Sequence, residues 1–168
     1  MPFDATTLAV LEYYTTHPPK TEDEWYGPWT TILTTIFPTT EGYIITPQRR
    51  LTEDSESHIP DFVIHVVKLT SPPVTFRTVL IVKVKNSQHW QSGIGTLMRQ
   101  INRQVGTAFA GTAHSKVYWI GAIGPHWRYG VKNDDSQEPV HLIDWHVVTH
   151  DDATYNDLQP LAGLVREI

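Results

Sequence analysis

Apolar residues recur along this chain with a period near 3.6 in some stretches and near 2 in others, and the two rhythms delimit its elements. Leu8 and Leu11, with Tyr14 or Val10, fall on one side of a first helix. Asp4 can cap it, and it runs to about Tyr14 before His17-Pro18-Pro19 ends it. Trp25, Trp29, Ile32, Leu33 and Ile36 repeat at helical spacing, and Thr21 to Glu24 ahead of them has the spacing of a capping box. Pro28 falls inside that second helix and requires either a kink or a later start.

Alternation then takes over. Tyr43 to Thr46 reads as a strand, Gln48 to Ser57 as a polar loop, and Asp61 to Leu69 as a second strand. Ser71-Pro72-Pro73 makes a turn into a hairpin partner, Phe76 to Lys85. Ile94, Leu97, Met98, Ile101, Val105 and Phe109 form one apolar stripe on a helix over Ile94 to Ala110. Arg99, Gln100, Arg103 and Gln104 lie to its side and back. Lys116 to Ile123, Trp127 to Val131 and Val140 to Val148 read as further strands, and Asn156 to Ile168 as a closing amphipathic helix. The order suits an α/β domain with a mixed central β-sheet and helices on both faces.

With 168 residues, 40% of them hydrophobic, the chain is one domain able to bury a core. It lacks cysteine, which removes disulfides and thiolate metal sites. No stretch has the form of a signal peptide or the length of a membrane span, so an intracellular protein, cytoplasmic or nuclear, is expected. The net charge of −5 argues against indiscriminate affinity for nucleic acid. Its distribution changes that picture. Between Phe62 and Asn133 there is no Asp or Glu, yet nine cations fall there: Lys68, Arg77, Lys83, Lys85, Arg99, Arg103, Lys116, Arg128 and Lys132. Such a segment predicts a positive surface within an acidic protein, or else scattered solvated lysines in a strand-rich region.

Two segments carry the candidate chemistry. His58-Ile59-Pro60-Asp61-Phe62 stands at the entry to the second strand, and Leu80-Ile81-Val82-Lys83-Val84-Lys85-Asn86 at the end of the third. On that third strand Leu80, Val82 and Val84 share one face, and Ile81, Lys83 and Lys85 share the other. Together the two segments resemble the metal-binding core of the PD-(D/E)XK nuclease superfamily. There a Pro-Asp opens one strand, and an acidic-x-Lys triplet closes its neighbour. The Pro-Asp and the final lysine are present; the acidic place is taken by Lys83.

The resemblance implies a restriction-endonuclease-like core, α-β-β-β-α-β, over residues 21–150, with 1–20 as a helical extension and 151–168 as a C-terminal helix. It implies an ancestral phosphodiester hydrolysis of DNA or RNA supported by Mg2+ or Mn2+ on oxygen ligands. It makes Asp61 the surviving metal ligand, Lys85 the lysine that orients water, Glu24 a second ligand from the first core helix, and Gln100 with Gln104 contacts to phosphate. His58 is a further candidate ligand. Plain structural roles stand beside each of these: a strand-start aspartate, a solvated loop histidine, a capping glutamate and an ordinary polar helix face. Glu12 is a weaker substitute for Glu24.

Lys83 divides the function classes. An ammonium has donors and no acceptor, so it cannot ligate a cation and repels one. Lys83 and Lys85 lie about 7 Å apart on one strand face, able to hold a backbone phosphate without cutting it. Alternatively they are exposed edge-strand lysines that discourage sheet aggregation. The chain is therefore a nuclease of this family, or an inactive relative that binds nucleic acid or a protein partner. In either case Asp61, Lys83 and Lys85 are expected in one cleft beneath the Gln100/Gln104 helix. A small-molecule module using the six tryptophans has no motif behind it. His141, Asp144, His146 and His150 suggest a zinc site, but on a strand His146 and His150 stand about 13 Å apart, too far to share an ion. No phosphate-cradling glycine loop, nucleophile elbow or dinucleotide fingerprint is present.

Overall fold

The computed structural model describes residues 2–47, 63–109, 116–134 and 137–168. Helix α1 spans Ala5–Thr16, and the Asp4 side chain caps it by accepting from the backbone N–H groups of Thr6 and Thr7. Thr21 Oγ1 donates to Glu24 Oε1 at 3.0 Å, but the turn that follows is a single 3-10 turn, Asp23–Trp25. Helix α2, Tyr26–Ile36, begins only there. Pro28 thus occupies the first turn, where no intrahelical N–H is needed, and the late start replaces a kink. The Trp29, Ile32, Leu33 and Ile36 side chains of α2 are all buried.

Strands β1 (Tyr43–Pro47), β2 (Ile64–Thr70) and β3 (Thr75–Lys85) form an antiparallel run, with a bulge at Val66/Val67. Helix α3 (Ile94–Phe109) then carries the chain across the sheet, so that β4 (Val117–Ile123) lies parallel to β3. Strand β5 (His126–Lys132) returns antiparallel to β4. Among the described residues the sheet is mixed and seven-stranded, in the order β1-β2-β3-β4-β5 and then two short strands.

Those short strands correct the expectation of one strand over Val140 to Val148. Only Val140–His141 (β6) and His146–Val147 (β7) pair with β5, and the chain leaves the ladder between them. Val140, Leu142 and Val147 are all exposed, so no apolar face holds the segment flat. Trp145 turns instead toward Arg128 and Trp90. Helix α4 spans Ala153–Arg166, three residues ahead of its expected start. Asp151 accounts for the difference, since it accepts from the backbone N–H of Ala153 and from Thr149 Oγ1.

Residues of α1, α2 and α4 share one core with Leu80, Val82 and Val84 of β3. Among the described helices it is α3 that covers the opposite face, where Leu97, Ile101, Val105 and Phe109 pack with Val63, Ile81, Val117, Trp119 and Ile123. Each such buried aliphatic side chain contributes about 1.5–3 kcal/mol. No helix among the described residues is long and apolar enough to cross a membrane.

Candidate functional site

Strand β3 lies between β2 and β4, in the middle of the sheet. The reading of Lys83 and Lys85 as exposed edge-strand lysines is therefore wrong. Lys83 has no solvent exposure (0%), and Lys85, at the strand end, is half-buried. The two alternate with Val82 and Val84 as expected and point to the α3 side with Ile81. The neighbour of Lys83 on β4 explains how α3 approaches so closely. It is Gly121, where an added Cβ would lie 2.7 Å from Ile101 Cδ1 and 3.1 Å from Leu97 Cδ2.

The rotation of α3 about its axis is set by its two sides. Asn102 Oδ1 accepts from Lys132 Nζ at 2.8 Å, which turns that flank toward β5. By helical geometry Gln100 and Gln104, both half-buried, then occupy the flank on the β3 side. Arg99 and Arg103 stand exposed on the helix's back. Lys83, Lys85, Gln100 and Gln104 are thus brought to one side of the sheet. Asp61 and His58 lie outside the described residues.

Glu24 comes to the neighbouring end of the sheet. The Tyr26 hydroxyl stands 3.4 Å from both the backbone N and O of Val84, and Asn86 Nδ2 donates to the Lys20 carbonyl. These bonds tie the segment ahead of α2 to the end of β3. The Glu24 side chain itself is exposed and receives the Thr21 hydroxyl. The described residues do not fit a divalent cation. No three His, Asp or Glu side chains among them gather to hold one, and the β3 side chain facing α3 at position 83 is a buried lysine.

The nine cations of the acid-free segment do not form one stripe. Arg77 donates to the carbonyls of Ile168 (2.9 Å) and Lys116 (3.3 Å), and burial lowers its pKa. Lys68 lies over the Tyr43 ring at 5.9 Å, and Lys132 is buried against Asn102. Arg128 stacks over Trp145 at 4.6 Å; burial lowers its pKa while Asp144 opposes the shift. The outward positive charge of the α3 side rests mainly on Arg99, Arg103 and the half-buried Lys85.

One cluster escaped sequence reasoning. Trp90 stacks on His126 with ring centroids 3.9 Å apart and planes at 16°, and Trp145 meets Trp90 edge-on at 5.0 Å. Burial holds the His126 pKa below its ordinary value, with the Ile123 backbone opposing. These rings come from the β3–α3 connection, the start of β5 and the interrupted last strand. No periodicity joins them; the one local signal was Trp90 within the polar run from Ser87 to Ser92. No family model, no curated protein and no solved structure matches this chain.

Proposed function

We propose that this chain is a nucleic-acid-binding domain on the PD-(D/E)XK plan, in which Lys83 has displaced the carboxylate that metal-dependent hydrolysis requires. The succession α2-β1-β2-β3-α3-β4, with its first three strands antiparallel, agrees with the α-β-β-β-α-β order of that superfamily. The strand that ends in the family-like lysine leads into the glutamine-bearing helix, as the resemblance requires.

The observation that carries the reading is the complete burial of Lys83. An exposed lysine would swing aside and leave room for an ion. A buried one is fixed in place within the face where the family gathers carboxylates, and it fills that place with an amine that supplies no carboxylate oxygen for an ion. What remains outward, Arg99 and Arg103 beside Gln100 and Gln104, is suited to the phosphate backbone, because such contacts position a strand without cutting it.

The test is Lys83→Glu. It changes the local charge by two units, and one unit pair at 4 Å is worth about 4 kcal/mol at an effective dielectric near 20, before desolvation. Even a quarter of that improves metal affinity severalfold. Calorimetry with Mn2+ is expected to show weak or no binding to the unaltered chain and a gain in Lys83→Glu that Asp61→Ala removes. Circular dichroism checks that each variant is folded. Labelled single- and double-stranded DNA and RNA should bind the unaltered chain and stay intact in Mg2+. Metal-dependent cleavage by the unaltered chain, lost in Lys85→Ala, would overturn the reading in favour of an active nuclease, with Glu24 the first carboxylate to replace.

A further inference from the structure

Beyond the carboxyl ends of the parallel pair β3 and β4 the surface opens into a cleft of about 430 Å3. Small-molecule sites run roughly 300–1,000 Å3 and, in open α/β sheets, favour this end of the strands. Distant parts of the chain build it: Tyr14 from α1, Trp25 ahead of α2, Ser87 and Trp90 after β3, His126 at the start of β5, and Val148 after β7. None of the described lining residues is Asp, Glu, Lys or Arg, so the cleft suits an uncharged group rather than a phosphate or carboxylate.

Its chemistry narrows the occupant further. Trp90 and His126 already form a two-ring stack in the cleft wall, which a further planar ring can extend, and Trp145 meets Trp90 edge-on. His126 is biased toward its neutral form by burial, so the wall carries no fixed charge. Tyr14 and Trp25 meet edge-on at 5.0 Å. Trp25 is 2% exposed, and its indole Nε1 is buried with no acceptor among the described residues. An indole N–H only donates, and a buried donor without an acceptor is costly. The Tyr14 hydroxyl donates to the Glu24 carbonyl and the Ser87 hydroxyl to Asn86 Oδ1, which leaves both oxygens able to accept. A flat, uncharged ring with acceptors and donors on its edge answers all of these groups.

The backbone around Trp90 is held in unusual conformations. Gln91 adopts a φ of 65°, a left-handed geometry uncommon outside glycine. Gly124 has a φ of 56°, and a Cβ there would lie 2.5 Å from Ser87 Cβ. The turn between β4 and β5 is thus pressed against the segment that carries Ser87 and Trp90. The Gly124 N–H also donates to the Lys85 carbonyl at 2.8 Å, so the cleft begins beside the end of the lysine strand.

We propose that this cleft receives a nucleobase that extends the Trp90–His126 stack and places an edge acceptor on the Trp25 indole N–H. The base belongs to a bound strand or to a free nucleoside. The strand source rests on the nucleic-acid reading above; the ring chemistry does not.

Two titrations test it. Fluorescein-labelled single strands, one with bases and one abasic throughout, are compared by anisotropy, and adenosine, guanosine, cytidine and uridine are followed by tryptophan quenching. The base-bearing strand should bind about tenfold more tightly, the scale of one base–aromatic stack. Trp90→Ala should erase that difference. Trp25→Phe, which keeps a ring and removes the donor, should reduce it, and circular dichroism verifies that both variants fold. Quenching by nucleosides that depends on Trp90, without strand binding, supports the base site, assigns it to free nucleosides and removes the strand-binding function. Strand binding that Arg99→Ala with Arg103→Ala weakens, but that neither missing bases, Trp90→Ala nor Trp25→Phe alters, overturns the cleft and leaves that function standing. No nucleoside quenching and no difference between the strands overturns the proposal outright.

Discussion

His126 carries two demands at once: it stacks on Trp90 and it is partly withdrawn from water, so folding favours its neutral ring. Burial is the larger cause of its lowered pKa and the Ile123 backbone the smaller, opposing one. The sign of the linkage follows. Below the ordinary histidine value of about 6.5 the unfolded chain takes up a proton that the folded chain resists, so stability is full above that value and falls as pH drops through the lowered folded value. His126→Gln should flatten this part of the profile. Urea midpoints from pH 8 to pH 5 should decline less in the variant than in the unaltered chain, and parallel profiles would show that His126 titrates alike in both states. Lys83 differs in kind. Its side chain sits wholly inside the sheet–helix layer, and its consequence is read in metal affinity.

At the level of elements, two glycines decide how the α3 side of the sheet is packed. Gly121 lets Ile101 and Leu97 of α3 rest on β4 beside Lys83, and there the added atom would meet only the ends of flexible side chains. Gly130 is less forgiving. A Cβ on it would lie 2.0 Å from the Val140 carbonyl oxygen and 2.4 Å from Trp119 Cζ2, with backbone on one side and an indole on the other. Gly130→Ala is expected to cost about 3 kcal/mol, the upper range for overpacking, and to lower Tm by roughly 6–12 °C. Gly95→Ala is its control, since nothing lies within 4 Å of the added atom on an exposed position of α3. It should stabilise by about 0.4–1 kcal/mol, because alanine is the better helix former and limits the unfolded chain. Thermal unfolding followed by circular dichroism separates the two, and a neutral Gly130→Ala would mean that β6 does not lie against β5.

For the molecule as a whole, charge arrangement matters more than the total of −5. Arg77, Lys83 and Lys132 are used internally, and Lys68 and Arg128 lie over aromatic rings. A protein binding a strand through the α3 side therefore has few phosphate contacts, and its salt dependence should be modest. Each neutralised phosphate on a single strand contributes about 0.7 to the slope of log affinity against log salt. Arg99→Ala with Arg103→Ala should reduce that slope by about 1.4 if both arginines meet phosphates. Anisotropy between 50 and 200 mM salt, roughly the range over which such slopes are read, provides the check. An unchanged slope in the double variant would move the strand off α3.

Much of this architecture is written in local pattern. The stripe from Leu97 to Phe109, the alternation that separates Ile81, Lys83 and Lys85 from Leu80, Val82 and Val84, and the Asp4 cap depend only on spacing along the chain, and the structure keeps them. The succession of helices and of the first five strands was legible for the same reason. What the pattern could not decide is which strands become neighbours. The β3–β4 pairing joins residues on either side of α3, and it alone makes β3 central and turns Lys83 from a surface cation into a buried one. Pairing with β5 likewise divides the expected last strand into β6 and β7, since β5 meets it only at two points. The basic segment disperses because Arg77, Lys68, Arg128 and Lys132 are drawn to partners on different elements. The cleft joins Tyr14, Trp25, Trp90 and His126 across more than a hundred residues. Periodicity specifies the face on which a side chain stands; only the packed sheet specifies what stands opposite it.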